Sequence, residues 1–82
     1  MCTIIKINKF KTGRKINNLM LERNISVLRL QQMMGLETTQ SIYKWLNGKS
    51  LPDLDHMATL CYIFDVPMDE LLVKEYVEQD WF

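Results

Sequence analysis

The sequence contains few of the residues and runs that identify secreted, membrane or metal-binding proteins. Among its 82 residues are two cysteines, two prolines, three glycines and one histidine. No apolar run approaches the roughly 20 residues that span a bilayer, so we expect no transmembrane helix and no membrane partner. Lysines interrupt the apolar residues of the first segment, which therefore lacks the apolar core of a signal peptide. We expect a cytoplasmic protein.

Chemistry-bearing residues are too sparse to suggest catalysis. Cys2 and Cys61 form no CxxC pair or disulfide framework, so we expect free thiols. His56 and Cys61 do not share a helix face, and no metal-ligand spacing occurs. Asp53 and Asp55, beside His56, fit the capped first turn of a helix. Walker loops, dinucleotide fingerprints and nucleophile elbows are absent from the sequence. We expect no enzyme, and no cofactor, metal or small-molecule substrate.

The apolar residues of the sequence recur mainly at the spacing of an α-helix. A hydrophobic content of 48% suits one small domain near the lower size limit for folding alone. Apolar residues at helical spacing predict an all-α fold of five helices. The predicted helices run from an N-cap at Thr12 to Arg23, over Val27–Met34 and Thr39–Asn47, from an N-cap at Asp53 to Phe64, and from Met68 towards Gln79.

The first residues are ambiguous from sequence. Ile5 and Ile7 alternate with polar residues, which permits a short strand, an extended arm carrying Lys6, Lys9 and Lys11, or a frayed terminus. We therefore divide the chain into an arm or short strand over 1–12, a domain over 13–73 and a helical extension over 74–82.

The segment Ile25–Lys49 reads as two short helices joined by a tight turn. Ser26 is suited to cap the first helix, because its hydroxyl accepts a hydrogen bond from a first-turn N–H. Gly35 and Gly48 stand where each helix ends and φ turns positive at little cost. The second helix has an apolar inner side, Ile42, Trp45 and Leu46, and a polar or amphipathic outer side, Thr39, Gln40, Tyr43 and Lys44. This is the pattern of a helix-turn-helix.

At this segment the chain resembles the Cro/cI-type (lambda-repressor-like, XRE) DNA-binding family. Residues 16–23 fit the family's first helix, SLPDL at 50–54 its exit loop, and LCYIFDVPMDELL at 60–72 its closing segment. The resemblance covers about Gly13 to Val73. It implies a compact five-helix fold in which helices 2 and 3 form the helix-turn-helix. It also implies sequence-specific binding of double-stranded DNA by a small transcriptional regulator, with helix 3 in the major groove.

Charge is distributed unevenly along the chain. Residues 1–50 hold nine Lys/Arg and two Asp/Glu, a net charge of +7, whereas residues 51–82 hold one lysine and eight acids, a net charge of −7. This asymmetry fits one face turned towards phosphate and the other away from it, although an incidental solvated distribution gives the same count.

The outer side of the predicted third helix supplies candidates for reading bases. The amide of Gln40 can bond adenine in bidentate fashion, and Lys44 lies one turn further on, within reach of guanine or a phosphate. Thr39 offers a methyl group to thymine, and Tyr43 can pack on sugar or bond a phosphate. The alternative is that all four are ordinary exposed residues.

Contacts to the phosphate backbone position such a domain without reading sequence. Candidates lie around the ends of the third helix, on helix one and on helix two: Arg14, Lys15, Gln32, Thr38, Ser41, Lys49 and Ser50.

The chain departs from the family pattern in two ways. Many members pair an arginine in helix one with a glutamate in helix three, where this chain has Met20 and Leu46. Both are apolar, so no buried charge is left unpaired, and we expect the two side chains to touch. Gln31 replaces a small alanine, and the turn holds one additional residue, so we expect a slightly wider helix-turn-helix.

Some apolar residues have no place in a DNA interface. Val27, Leu28 and Met33, on the outer side of helix two, are either scattered surface residues or a partner-binding patch. A cluster near the C-terminus either folds back on the core or forms a homodimer seam: Tyr76, Val77, Trp81 and Phe82. The alternative function is therefore a protein-interaction module, such as an adaptor or antitoxin-like subunit, that keeps the fold.

Overall fold

The structure, a computed structural model, describes the backbone of residues 2–79 and the side chains of residues 4–77. Trp81 and Phe82 lie outside the described residues. Five helices and two strands follow one another: β1 Cys2–Ile7, α1 Lys9–Glu22, α2 Val27–Met34, α3 Gln40–Leu46, α4 Leu54–Phe64, α5 Met68–Leu71 and β2 Lys74–Gln79. Within residues 2–79, no helix is long and apolar enough to cross a membrane.

Helices α2 and α4 begin, and α2 ends, where the sequence predicts. The Ser26 hydroxyl accepts a hydrogen bond from the Arg29 N–H at 3.0 Å, at the start of α2. At the start of α4, Asp53 Oδ1 accepts one from the His56 N–H at 2.9 Å. Gly35 ends α2 with a φ of 68°, the left-handed conformation expected there. These caps are confirmed, and α3 begins within one residue of its predicted start.

The fold is not purely helical, so the all-α prediction is corrected. β1 and β2 pair as a two-stranded antiparallel sheet, with Cys2 opposite Gln79 and Ile7 opposite Lys74. The sequence permitted the strand at the start of the chain but not its partner. The fifth helix was expected to continue towards Gln79, and this is wrong: it ends at Leu71. Backbone groups that would have bonded within a helix pair instead with a segment at the other end of the chain.

Helix α1 begins earlier than the sequence predicts. Its N-cap is Asn8, whose side-chain oxygen accepts a hydrogen bond from the Lys11 N–H at 2.8 Å. Thr12, the expected cap, lies inside the helix and is fully buried. Its hydroxyl accepts a hydrogen bond from the Val73 N–H at 3.1 Å, and the Val73 carbonyl accepts one from the Asn8 N–H at 2.8 Å. The start of α1 is thus fastened to the segment that follows α5.

The core lies between the helices. Each helix contributes at least one buried residue, and the members are Ile16, Leu19, Met20, Leu30, Ile42, Trp45, Met57, Leu60, Phe64 and Leu71. Leu46 packs against this cluster. Met20 and Leu46 therefore border the same core, and their direct contact stays a prediction.

Candidate nucleic-acid interface

Helix α3 is held by its inner side. Ile42 and Trp45 are buried in the core. A Cβ atom added to Gly13 of α1 would lie 2.1 Å from the Trp45 carbonyl oxygen, so the two helices approach more closely than any larger residue allows. The Trp45 ring also packs against the His56 ring of α4, with centroids 5.6 Å apart and planes tilted by 49°. Helices α1 and α4 therefore fix the rotation of α3 about its axis.

That rotation turns the predicted base-reading residues outward. Gln40, Tyr43 and Lys44 are exposed, and Thr39 is partly exposed. Their side chains make no hydrogen bond to other side chains in the described part of the protein. The outer side of α3 thus presents amide, phenol and ammonium groups on one face of a short helix that the core holds in place. These groups can donate or accept the hydrogen bonds that base edges offer.

The turn between α2 and α3 is closed by a side chain from α2. Gln31 Nε2 donates a hydrogen bond to the Leu36 carbonyl oxygen at 3.0 Å, spanning the turn. At the far end of the turn, the Thr38 hydroxyl oxygen accepts one from the Gln40 N–H at 3.3 Å. The side-chain amide of Gln31 therefore holds the end of α2 to the turn that precedes α3.

The candidates for phosphate contact surround α3. Arg14 and Lys15 follow Gly13 directly, so they lie on α1 where it packs on α3. The remaining candidates are on α2, in the turn before α3, at its start or just after its end: Gln32, Thr38, Ser41, Lys49 and Ser50. Arg14, Gln32, Thr38 and Lys49 are exposed, whereas Lys15, Ser41 and Ser50 are partly buried.

Two further cations belong to this surface. Lys9 and Lys11, for which the sequence left a strand, an arm or a frayed terminus open, are exposed residues of the first turn of α1. This turn packs on the end of α3, because a Cβ atom at Gly48 would lie 2.8 Å from the Phe10 Cα. The sequence signal that could have placed them is Asn8, a good N-cap residue three positions before Lys11.

The basic residues on α1 and α3, and Lys49 after α3, form no ion pair within the described residues, apart from Arg23 at the end of α1. The ion pairs found there join Arg23 to Glu22 and Lys74 to Asp69, and His56 Nδ1 lies 3.3 Å from Asp53 Oδ1. None of them involves the first turns of α1 or the residues of α3. The cations on α1, on α3 and just after α3 therefore lie on the surface without an ion-pair partner among the described residues: Lys9, Lys11, Arg14, Lys15, Lys44 and Lys49.

Other groups of the described chain offer little chemistry. No group of three or more His, Cys, Asp or Glu side chains is arranged to hold a metal ion within the described residues. Burial raises the pKa of the Cys61 thiol, which keeps it protonated near neutral pH. On α2, Leu28 and Met33 are exposed by 60% and 43%, whereas Val27 packs against the core.

The fold and this surface define a helix-turn-helix DNA-binding domain. Residues 15–75 match the Cro/C1-type HTH DNA-binding domain family, which covers most of the chain, and the protein belongs to that family. The resemblance seen in the sequence is thereby confirmed, and DNA is the partner that the domain implies. A search of curated proteins found no match.

Proposed function

We propose that the protein is a small transcriptional regulator that binds double-stranded DNA sequence-specifically, with α3 in the major groove. The observation that carries this proposal is the outer side of α3. Gln40, Tyr43 and Lys44 are exposed there, while Ile42 and Trp45 fix the helix from the inside. A recognition helix needs this combination, because base edges are read by side chains whose backbone is held at a defined distance and angle.

Each residue of this surface takes a defined role. Gln40 pairs with adenine, Lys44 with guanine or a phosphate, Thr39 contacts a thymine methyl group and Tyr43 contacts sugar or phosphate. The phosphate backbone is bound by the exposed or partly exposed polar residues around α3: Arg14, Lys15, Gln32, Thr38, Ser41, Lys49 and Ser50. Helix α2 braces α3 across the backbone. We also propose that the protein works in the cytoplasm and as a homodimer, which suits two half-sites one helical turn apart.

The experiment that tests this proposal is a selection of bound fragments from genomic DNA at two salt concentrations. We expect a palindromic motif whose binding weakens with salt, because neutralised phosphates release counterions. The double variant Gln40→Ala/Lys44→Ala should lose the motif. The matched control is Tyr62→Ala, which truncates an exposed side chain of α4 and should recover the same motif.

A second candidate is a protein-interaction module with the same fold. It is favoured by the exposed Leu28 and Met33 of α2 and by the net charge of zero. If no DNA is enriched at either salt concentration, this candidate replaces the first. The Leu28/Met33 surface would then be the place to look for a partner.

A further inference from the structure

The side of α4 that points away from the core carries apolar and acidic residues. Leu54, Asp55, Ala58 and Tyr62 are all exposed there. Consecutive residues of an α-helix stand about 100° apart around its axis, so these four lie within one arc of about 100°. Asp65, also exposed, follows directly after the last residue of the helix. We call these five residues the outer face of α4.

The apolar residues of this face form a ridge. Leu54, Ala58 and Tyr62 follow one another at intervals of four residues, which spans about two helical turns, or roughly 12 Å. Tyr62 and Leu54 are 87% and 78% exposed, more than any other large apolar side chain in the described part of the protein. Scattered exposed apolar residues are ordinary, but a row at this spacing is the surface into which a second helix packs. Tyrosine is also enriched in protein interfaces.

Carboxylates stand at both ends of the ridge. Residues 53–70 hold five Asp/Glu, at positions 53, 55, 65, 69 and 70, and no Lys or Arg. Asp55 lies in the first turn of α4, and Asp65 lies at its C-terminal end. Neither of the two forms an ion pair within the described residues. The outer face of α4 is thus an apolar ridge between carboxylates to which this part of the chain brings no cation.

The charge of Asp65 is unfavourable to the protein on its own. Asp65 is the C-cap of α4, with a φ of 55°, and the last turn of the helix contains no basic residue. The C-terminus of a helix is the negative end of its dipole, which a cation stabilises and an anion does not. Glycine or asparagine would end the helix in the same conformation without the charge. A cation from another molecule would offset this repulsion.

The outer face of α4 is directed away from the proposed recognition helix. His56 of α4 packs against Trp45 of α3. Leu54 and Ala58 each stand two residues from His56, about 200° around the axis, and therefore on the opposite side of α4. A molecule bound to the outer face of α4 would leave the outer side of α3 free.

We propose that the outer face of α4 binds an amphipathic helix of a partner protein, one that carries lysine or arginine beside its apolar residues. The apolar side of that helix packs on the ridge, and its basic residues reach Asp55 and Asp65. This surface is separate from the Leu28 and Met33 side chains of α2. The interaction goes beyond the proposed function and does not depend on DNA binding.

The charge of the outer face argues against other occupants. Two copies of the chain packed through this face about a two-fold axis would bring carboxylates together with no cation between them, because the face contains none. Nucleic acids and anionic lipid surfaces carry the same sign of charge and are repelled. Complementary charge therefore selects a basic partner, and the apolar ridge selects one with an apolar side.

The chemistry of the occupant is tested by selection from a displayed library of random peptides of about four helical turns. The bait is the full-length wild-type protein, without DNA and at low salt. The parallel bait is Leu54→Ala/Tyr62→Ala, whose folding is checked by circular dichroism. We expect the wild type to enrich peptides with apolar residues three or four apart and an excess of Lys and Arg, and the double variant to enrich none of them. Leu21→Ala truncates an exposed leucine of α1 and is the matched control, which should enrich the same peptides.

The affinity of the most enriched peptide separates the apolar contribution from the charged one. In fluorescence anisotropy titrations, Tyr62→Ala should raise the Kd about tenfold or more. Asp65→Asn should also raise it and reduce its dependence on salt, because a charge pair is lost. Glu37→Gln removes an exposed carboxylate before α3 and should change neither quantity.

Asp65→Asn has a second expected effect that a merely structural residue would not show. It removes an anion from the negative end of α4, so the melting temperature of the free protein should rise while the peptide binds more weakly. A lower melting temperature together with unchanged peptide binding would show that Asp65 serves the fold and not a partner.

Several results of the selection would overturn the inference. They are the absence of any enriched peptide, enriched peptides that bind Leu54→Ala/Tyr62→Ala as tightly as the wild type, and enriched peptides that are acidic. A wild-type dimer that Tyr62→Ala dissociates in sedimentation equilibrium would assign the face to a second copy instead. Gln40→Ala/Lys44→Ala keeps the two hypotheses apart, because it should lose the DNA motif and still bind the peptide.

Discussion

Gly13 of α1 lies directly against the backbone carbonyl of Trp45 in α3. A Cβ atom at Gly13 would stand 2.1 Å from that oxygen and 3.2 Å from the carbonyl oxygen of Leu46. Glycine in a helix interior costs about 0.5–1 kcal/mol relative to alanine, so its presence here reflects packing and not helix propensity. The approach seats α1 on the end of α3, the helix that carries the proposed recognition residues.

Gly13→Ala is expected to destabilise the protein, although alanine is the better helix former. The added methyl group overlaps a backbone atom that cannot rotate away, so α1 and α3 must separate. We expect a loss of about 3 kcal/mol or more in the free energy of unfolding, measured by urea titration. Asn18→Ala, at an exposed position of the same helix, is the control and should change it by less than about 0.5 kcal/mol. Equal stability of the two variants would contradict the close approach.

Thr12→Val tests the anchor between α1 and the segment after α5. Valine keeps the shape of the buried side chain but leaves the Val73 N–H without its 3.1 Å acceptor. Leaving such a group unpaired costs about 1–3 kcal/mol of stability, and amide exchange at Val73 should accelerate. Thr59→Val is the comparison, because it removes a hydroxyl that donates a hydrogen bond to the Asp55 carbonyl oxygen within α4. We expect this variant to lose less stability than Thr12→Val. Unchanged exchange at Val73 would argue against the anchor.

Gln31→Glu tests the side chain that closes the turn. Its carboxylate cannot donate to the Leu36 carbonyl, which the amide reaches at 3.0 Å. Gln32→Glu adds the same charge one residue further along α2 without touching this bond. We expect Gln31→Glu to be less stable than Gln32→Glu by about 1 kcal/mol in thermal unfolding. If both variants unfold at the same temperature, the hydrogen bond contributes nothing to the turn.

Gln40→Ala and Lys49→Ala should weaken DNA binding in different ways. Removing a base-reading amide lowers discrimination between the selected operator and its mismatched variants by about 1–3 kcal/mol per contact. Removing a phosphate contact weakens binding to all sequences and reduces the salt slope by about 1. Titration of operator and mismatched duplexes at several salt concentrations measures both effects. Uniform weakening by Gln40→Ala would reassign Gln40 to the backbone.

Met20 and Leu46 should be coupled energetically. Met20 is buried, and Leu46 packs against the same core. A double-mutant cycle with Met20→Ala and Leu46→Ala is expected to give a coupling energy of about 0.5 kcal/mol or more. The reason is that the stability changes caused by substituting two residues in contact do not add. Additive effects would show that the two side chains do not touch.

What the sequence predicted correctly rests on interactions between near neighbours in the chain. Ser26 and Asp53 cap helices through bonds to N–H groups three residues away, and Gly35 has the positive φ that ends α2. The apolar spacing of Ile42 and Trp45 gave the inner side of α3. From such local signals the five helices and the helix-turn-helix were predicted, whereas the family was identified from the resemblance over residues 13–73.

The tertiary structure decided what depends on segments far apart in sequence. Residues 74–79 were expected to extend a helix, and they form a strand because β1, at the other end of the chain, pairs with them. Thr12 looked like a helix cap and instead accepts a hydrogen bond from Val73. Nothing in the sequence indicated that Gly13 would lie against the carbonyl of Trp45. Propensity and capping act over about four residues, whereas these three outcomes follow from partners that only the packing of the whole chain brings together.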